Sequence, residues 1–303
     1  MHRIDIDSLN ARFGRPGQLR FKTEPGSVAV AEIDNELGSA RIALQGAQLL
    51  TWIPRGQQPV VWLSPQARLV PGKSARGGVP VCWPWFGPHC RNSDNPSHGF
   101  ARSAPWEVLT TESAPDGGTE LTFRLLRSDA DAALWPHSTP LVLRVRIGTS
   151  LAMELRTRNI GAAPVTIGQA LHTYFQISDI RQVRVFGLES CEYLDKVEGG
   201  RKQQDGAIAF SGETDRIYLD TDAECIIEDP GYSRRIHVAK TGSRSTVVWN
   251  PWIDKAAKLG DLGEGGYLHM LCVESANAGE DLVTLQPGEE HALAVEYRLS
   301  PLP

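Results

Sequence analysis

The stretch LVLRVRIGTSLAMELRTRNI, residues 141–160, decides the class of fold. Leu141, Leu143, Val145 and Ile147 recur at every second position, and after Gly148 the pattern resumes with Leu151, Met153 and Leu155. A period of two is that of a half-buried β-strand, and the glycine marks the turn between two of them. Runs of the same kind follow from Ser27 onward, among them PVVWL (59–63), VTIGQALHTYF (165–175), STVVWN (245–250), LHMLCVES (268–275) and HALAVEYRL (291–299). Gly, Pro, Asp and Asn fill the gaps between them, and the chain holds 29 glycines and 20 prolines. Helical periodicity is confined to WIDKAAKLGDL (252–262) and SDADAALWP (128–136), with no alternation of strand and helix. The expectation is an all-β protein, a large antiparallel β-sandwich formed as a single domain over residues 1–303.

At 303 residues, with 41% hydrophobic and 22% charged residues, the chain is long enough to bury a sizeable core. A net charge of −5, with acids interleaved among Lys and Arg, provides no basic footprint for nucleic acid, so an anionic ligand needs local arginines. The five cysteines are scattered and never form a CxxC pair, which suits a reducing cytoplasm better than a disulfide framework or a zinc site. MHRIDIDSLNARFGRPGQ (1–18) holds acids and turn formers where an export signal has a basic and then an apolar segment, and no run is apolar enough to span a bilayer. Neither export nor membrane insertion is expected. A P-loop, GxGxxG, GxSxG and HExxH are all missing from the sequence, so no cofactor and no metal are expected.

Chemistry concentrates in SARGGVPVCWPWFGPHCRNSDNPSHGFARS (74–103). Paired glycines and several prolines make a stiff, irregular loop carrying Arg76, Trp83, Trp85 and Phe86. The aromatic residues read either as platforms for a sugar ring or as a hydrophobic plug at one end of the sandwich. His98 and Arg102 close the segment, either as a solvated turn or as ligand contacts. Further along lie three titratable candidates. His172 interrupts an apolar run and is either a core imidazole bonded to a carbonyl or a proton donor at a cleft. Asp215, beside Arg216, reads as an exposed ion pair or a ligand contact. Glu274 follows Met270–Val273, where a buried strand is expected to emerge, and is either a surface acid or a base whose pKa burial raises.

Taken in order, RGGVPVCWPWFG (76–87), HGFAR (98–102), ALHTYFQISDI (170–180), ETDRIYL (213–219), VVWNPW (247–252) and CVESAN (272–277) resemble the hexose-6-phosphate mutarotases, the glucose-6-phosphate 1-epimerases of the galactose mutarotase-like superfamily. The resemblance runs from about Ser27 to Leu299. It implies a supersandwich fold and an aldose 1-epimerase acting on a hexose 6-phosphate, with His172 and Glu274 catalytic. It further implies that Asp215 orients sugar hydroxyls, that Arg76 and Arg102 contact the substrate and plausibly its phosphate, and that His98 helps hold the ring. Some members carry glutamine where this chain has Ser97, a shorter side chain that needs a water to reach the ligand. The expected partner is a small-molecule sugar phosphate, the expected state a monomer, and the acid and base are expected to converge across a sugar-sized gap. A mutarotase for unphosphorylated aldoses and a non-catalytic sugar-binding or sensing protein are the alternatives.

Overall fold

The computed structural model describes residues 4–303, so residues 1–3 of the expected 1–303 domain lie outside it. Leu141–Ile147 and Leu151–Arg158 form the expected hairpin, with Ile147 opposite Leu151 and buried side chains at alternate positions. They belong to an eight-stranded sheet in the order Arg184–Phe186, Cys225–Asp229, Arg234–Thr241, Glu290–Pro301, Leu151–Arg158, Leu141–Ile147, Thr119–Leu125, Trp106–Ser113. A second sheet runs Arg201–Gln203, Glu192–Asp195, Thr214–Tyr218, Ser245–Asn250, Met270–Asn277, Gln169–Leu171, Val81–Cys82, and Tyr174–Gln176 also pairs with Met270–Asn277. A four-stranded meander, from Leu19–Thr23 to Gln48–Pro54, and the pair Val165–Ile167 with Val283–Leu285 complete the β-structure. The strand ladders pair antiparallel throughout.

The main core draws on the meander and both large sheets. Leu143, Leu155 and Tyr297 come from the first large sheet, Leu171, Leu271 and Val273 from the second, and Ile33 and Trp52 from the meander. Leu271 and Val273 therefore face this core, while Met270, Cys272 and Ala276 pack into two smaller apolar clusters. Successive residues of a strand point to opposite faces, so Glu274 shares the outer face with Cys272 and Ala276. That face is covered as well, and every residue of Met270–Asn277 is buried.

Three helices depart from the sequence expectations in detail. Trp252–Leu259 stops at Gly260, whose φ of 71° ends it in a left-handed cap, and Asp129–Leu134 starts at a Ser128–Asp131 capping box, so both are shorter than their periodic stretches. Ile6–Phe13, read from sequence as turn formers, is a helix with Asp5 as its cap. Ile6, Leu9 and Phe13 recur on one face and pack against the core, and Asn10 exchanges two hydrogen bonds with Phe21. PVVWL, which reads as a strand, makes only isolated bridges, Val61 to Phe175 and Leu63 to Gly77. Among the described residues no helix is long and apolar enough to cross a membrane.

One buried contact ties the two large sheets together behind the outer face. Thr173 Oγ1 and the Tyr297 hydroxyl lie 2.6 Å apart, and the Tyr297 ring meets Phe175 edge-on. Tyr297→Phe is expected to cost about 1–2 kcal/mol, the usual loss when a buried hydroxyl is left without its partner. Urea unfolding would read this as a lower midpoint at unchanged slope, and a wild-type midpoint would show that the contact contributes nothing.

Candidate active site

The long run VTIGQALHTYF divides into Val165–Ile167, Gln169–Leu171 and Tyr174–Gln176. The last two both pair with Met270–Asn277, Leu171 opposite Ser275 and Tyr174 opposite Cys272. The pairing offset is the same on both sides of the break, so the register carries His172 to the position opposite Glu274. The ladder lapses there as the Thr173 amide turns back onto the Leu171 carbonyl oxygen at 2.9 Å, while the His172 amide donates to Pro80 O at 3.0 Å. Facing side chains on adjacent strands are near neighbours, and His172 Nδ1 lies 3.3 Å from Glu274 Oε1. The two residues expected to act as acid and base are thus in contact, side by side, and not separated by the sugar-sized gap expected from sequence. Glu274 is likewise mid-strand, not at a point where the strand emerges.

Both groups are deeply buried, His172 9% and Glu274 1% exposed. Among the described residues neither His172 Nδ1 nor Glu274 Oε2 has a hydrogen-bond partner, so the 3.3 Å approach lies off the hydrogen-bond direction. Burial pushes the Glu274 carboxyl well above its ordinary range and Asp215 adds to the effect, while Arg102 opposes it. Burial also holds His172 well below its ordinary value, aided by His98, Arg102 and Arg76. An unpaired buried carboxylate is costly, so burial favours a neutral imidazole and a protonated carboxyl. The pair then holds one proton.

His98 faces the same site, its ring 5.7 Å from that of His172 and edge-on to Phe86. It adopts φ 63°, and Gly99 follows at φ 71° so close to Trp83 that a Cβ there would lie 1.9 Å from the Trp83 carbonyl oxygen. Only glycine fits that approach. Burial, with Arg102 and Arg76, pushes His98 down to about 3, leaving it neutral. Its Nδ1 accepts from the Gly87 amide, so the ring proton sits on Nε2, a donor. Arg102 is anchored by a bond from Nη2 to the carbonyl oxygen of Ser97, whose residue is exposed on the loop.

Arg76 is held on the far side. Its Nε donates to Asp261 Oδ1 and its Nη1 to the Tyr174 hydroxyl, both at 2.9 Å. It borders a hollow of ≈ 730 Å³ that is also lined by Arg68, Lys73, Ser74 and Asp261 and does not reach His172 or Glu274. Asp215 is brought in by register: it pairs with Trp249, Trp249 with Cys272 and Cys272 with Tyr174, one row across the outer face. Burial raises the Asp215 carboxyl against the pull of Lys255, whose Nζ lies 3.7 Å away, and of Lys196. It is therefore no simple surface pair with Arg216, which lies over the Tyr193 ring on the other face.

The aromatic wall is not the one the loop suggested. Trp83 is fully buried, with Nε1 donating to Thr157 Oγ1, and Trp85 packs on His89 and Phe100, so these two form the plug. Trp249 and Tyr174 line the site instead, both against His172. Tyr174 stands two residues after His172 and Cys272 two before Glu274, the same-face spacing of a strand, which was the available signal for both. The donor atoms of His172, Cys272 and Glu274 lie within 4.8 Å of one another, the spacing of a possible cation site. A cation would have to displace the protons that burial keeps on the Cys272 thiol and on Glu274.

The state of His98 is open to direct measurement. Histidine-selective NMR is expected to find it neutral, in the Nε2–H form, throughout pH 8 to about 5. A midpoint near that of an exposed histidine would contradict the half-buried, arginine-flanked environment.

The aldose 1-epimerase family model matches residues 29–298. A relative from Salmonella typhimurium, named "Putative glucose-6-phosphate 1-epimerase", is 39% identical over 248 residues, 81% of this chain and 82% of its own length. One of the same name from Escherichia coli is 38% identical over 82% of this chain and 83% of its own length. The crystal structure of a "putative mutarotase" from Salmonella typhimurium superposes with a TM-score of 0.89 at 32% identity, covering 98% of this chain and 99% of that one. This chain belongs to the aldose 1-epimerase family.

Proposed function

We propose that the protein interconverts the α and β anomers of a hexose 6-phosphate, glucose 6-phosphate being the expected substrate, through proton transfer by His172 and Glu274. The single observation that carries this reading is their 3.3 Å contact inside a buried face. Ring opening moves a proton off the anomeric hydroxyl and another onto the ring oxygen, and both oxygens are bonded to C1. A touching pair that shares one proton suits two such neighbouring atoms.

With Glu274 as base and His172 as acid, opening starts from imidazolium and carboxylate and ends with a neutral imidazole and a carboxylic acid. The final state is the one burial favours. Closure on the other face of the aldehyde, after rotation about C1–C2, reverses both transfers. The starting state contains the same number of protons and differs from the resting one only in which partner carries the titratable proton. His98, with its Nε2–H, supplies a hydrogen bond to the ring region, and Asp215 an acceptor for sugar hydroxyls.

The phosphate reading is supported by Arg76 and Arg102 and by the hollow beyond Arg76, where Arg68 and Lys73 add positive charge against Asp261. Anion binding there orients the ring for proton transfer. Two buried titratable groups that each leave an atom, His172 Nδ1 and Glu274 Oε2, without a hydrogen-bond partner among the described residues are a poor design for a protein that only binds sugars, since they weaken the fold without adding contacts. Five free cysteines suit a reducing compartment, the cytoplasm.

Anomer exchange followed by NMR, comparing glucose 6-phosphate with glucose and galactose, tests the reading. His172→Ala and Glu274→Gln should each lower kcat by about 10²–10⁴-fold, and full activity in either would refute the assignment. Arg76→Ala or Arg102→Ala should weaken turnover of the phosphorylated sugar selectively, and an equal loss with glucose would reject the phosphate role. Asp215 raises the Glu274 pKa, so Asp215→Asn should let the pair lose its proton more easily. The alkaline limb of the kcat/KM profile then moves to lower pH while the acid limb stays, whereas an upward or absent shift would remove Asp215 from the site's electrostatics.

A further inference from the structure

Tyr174 joins the two halves of the site. Its ring lies on that of His172, with centroids 4.9 Å apart and planes within 10° of parallel. Trp62 stacks on it as well, at 5.9 Å and 21°, and Trp249 meets both Tyr174 and His172 edge-on. Reorienting the imidazole therefore requires Tyr174 to move. The hydroxyl of the same residue accepts from Arg76 Nη1, and Asp261 holds the guanidinium from the other side. A guanidinium has five N–H donors, of which Arg76 uses two among the described residues, so an anion can take the remaining ones without breaking the bond to Tyr174.

We propose that Tyr174 is a positioning residue that couples anion capture at Arg76 to the orientation of His172, so that the phosphate of the substrate activates proton transfer as well as anchoring the sugar. This rests on the reading that the phosphate meets Arg76. The mechanical part follows from the stack: an anion that immobilises the Arg76 fork immobilises the hydroxyl it holds and, through the ring, the imidazole plane. Small misplacements of a reacting group are expensive, about 10²-fold for 1 Å. The electrostatic part acts in the same direction, because Arg76 and Arg102 both oppose charge on His172 and a bound dianion offsets them. Neither part requires the anion to be bonded to the sugar.

The consequence is an activity that the wild-type protein should show with separate pieces. Free glucose should anomerise faster, on the order of tenfold, when phosphite dianion is added at concentrations that compete with glucose 6-phosphate. Tyr174→Phe keeps the ring and loses the hydroxyl. Its kcat on glucose 6-phosphate should fall on the order of tenfold with KM changed less than about threefold, and activation by phosphite should drop to the smaller part that acts through the arginines' charge alone. A wild-type protein that prefers glucose 6-phosphate but ignores phosphite, or a Tyr174→Phe variant with unaltered kcat and intact phosphite activation, overturns the coupling and leaves the phosphate handle standing. Equal wild-type turnover of glucose and glucose 6-phosphate, unmoved by phosphite, overturns the handle and the coupling together.

Discussion

A carboxyl group lies in the middle of a strand on which every side chain is buried, and the site is organised by what that costs. Glu274 faces away from the main core, yet Cys272, Ala276 and the neighbouring Trp249 and Tyr174 leave it little contact with solvent. Ionised and alone it would be strongly unfavourable there. Burial therefore favours its protonated form, and the sheet register delivers an imidazole directly opposite. The proton and the register together make a buried pair able to give and accept hydrogen at once.

The same face separates chemistry from recognition. The proton pair occupies the centre of the sheet, Asp215 stands at one end of the adjoining row and Tyr174 at the other, and the arginines approach from loops. The antiparallel ladder fixes the relative positions of side chains that are far apart in the chain, while the irregular segments supply charge. Those segments are themselves held rigid by close backbone approaches, as at Gly99 beneath Trp83 and at Gly78, where a Cβ would stand 2.2 Å from the Leu49 carbonyl oxygen. The relative positions of His172, Glu274 and Asp215 thus come from the sheet, and the positive charge near them from the loops.

Much of this was legible in the residues. Alternation at period two gave away the strands, including the hairpin of 141–160, and the ordered motifs brought His172, Glu274, Asp215, Arg76, His98 and Arg102 into one list. What stayed hidden was cross-strand geometry. Alternation shows which residues share a face of one strand but not which strand lies alongside, so the opposition of His172 to Glu274, and hence their contact, could not be read. For the same reason Trp249 passed without a role, and Trp83 and Trp85 drew attention that belonged to Tyr174. The helix Ile6–Phe13 was overlooked because its caps and acids look like turn formers, although its apolar spacing was present.

Burial is expected to keep the pair's titratable proton on Glu274 when no sugar is bound. Infrared difference spectroscopy between the wild-type protein and Glu274→Gln at neutral pH, with no sugar present, tests it most directly. A protonated-carboxyl C=O stretch that disappears in the variant is the expected result. If the difference contains carboxylate bands alone, Glu274 rests ionised and burial does not set its protonation state.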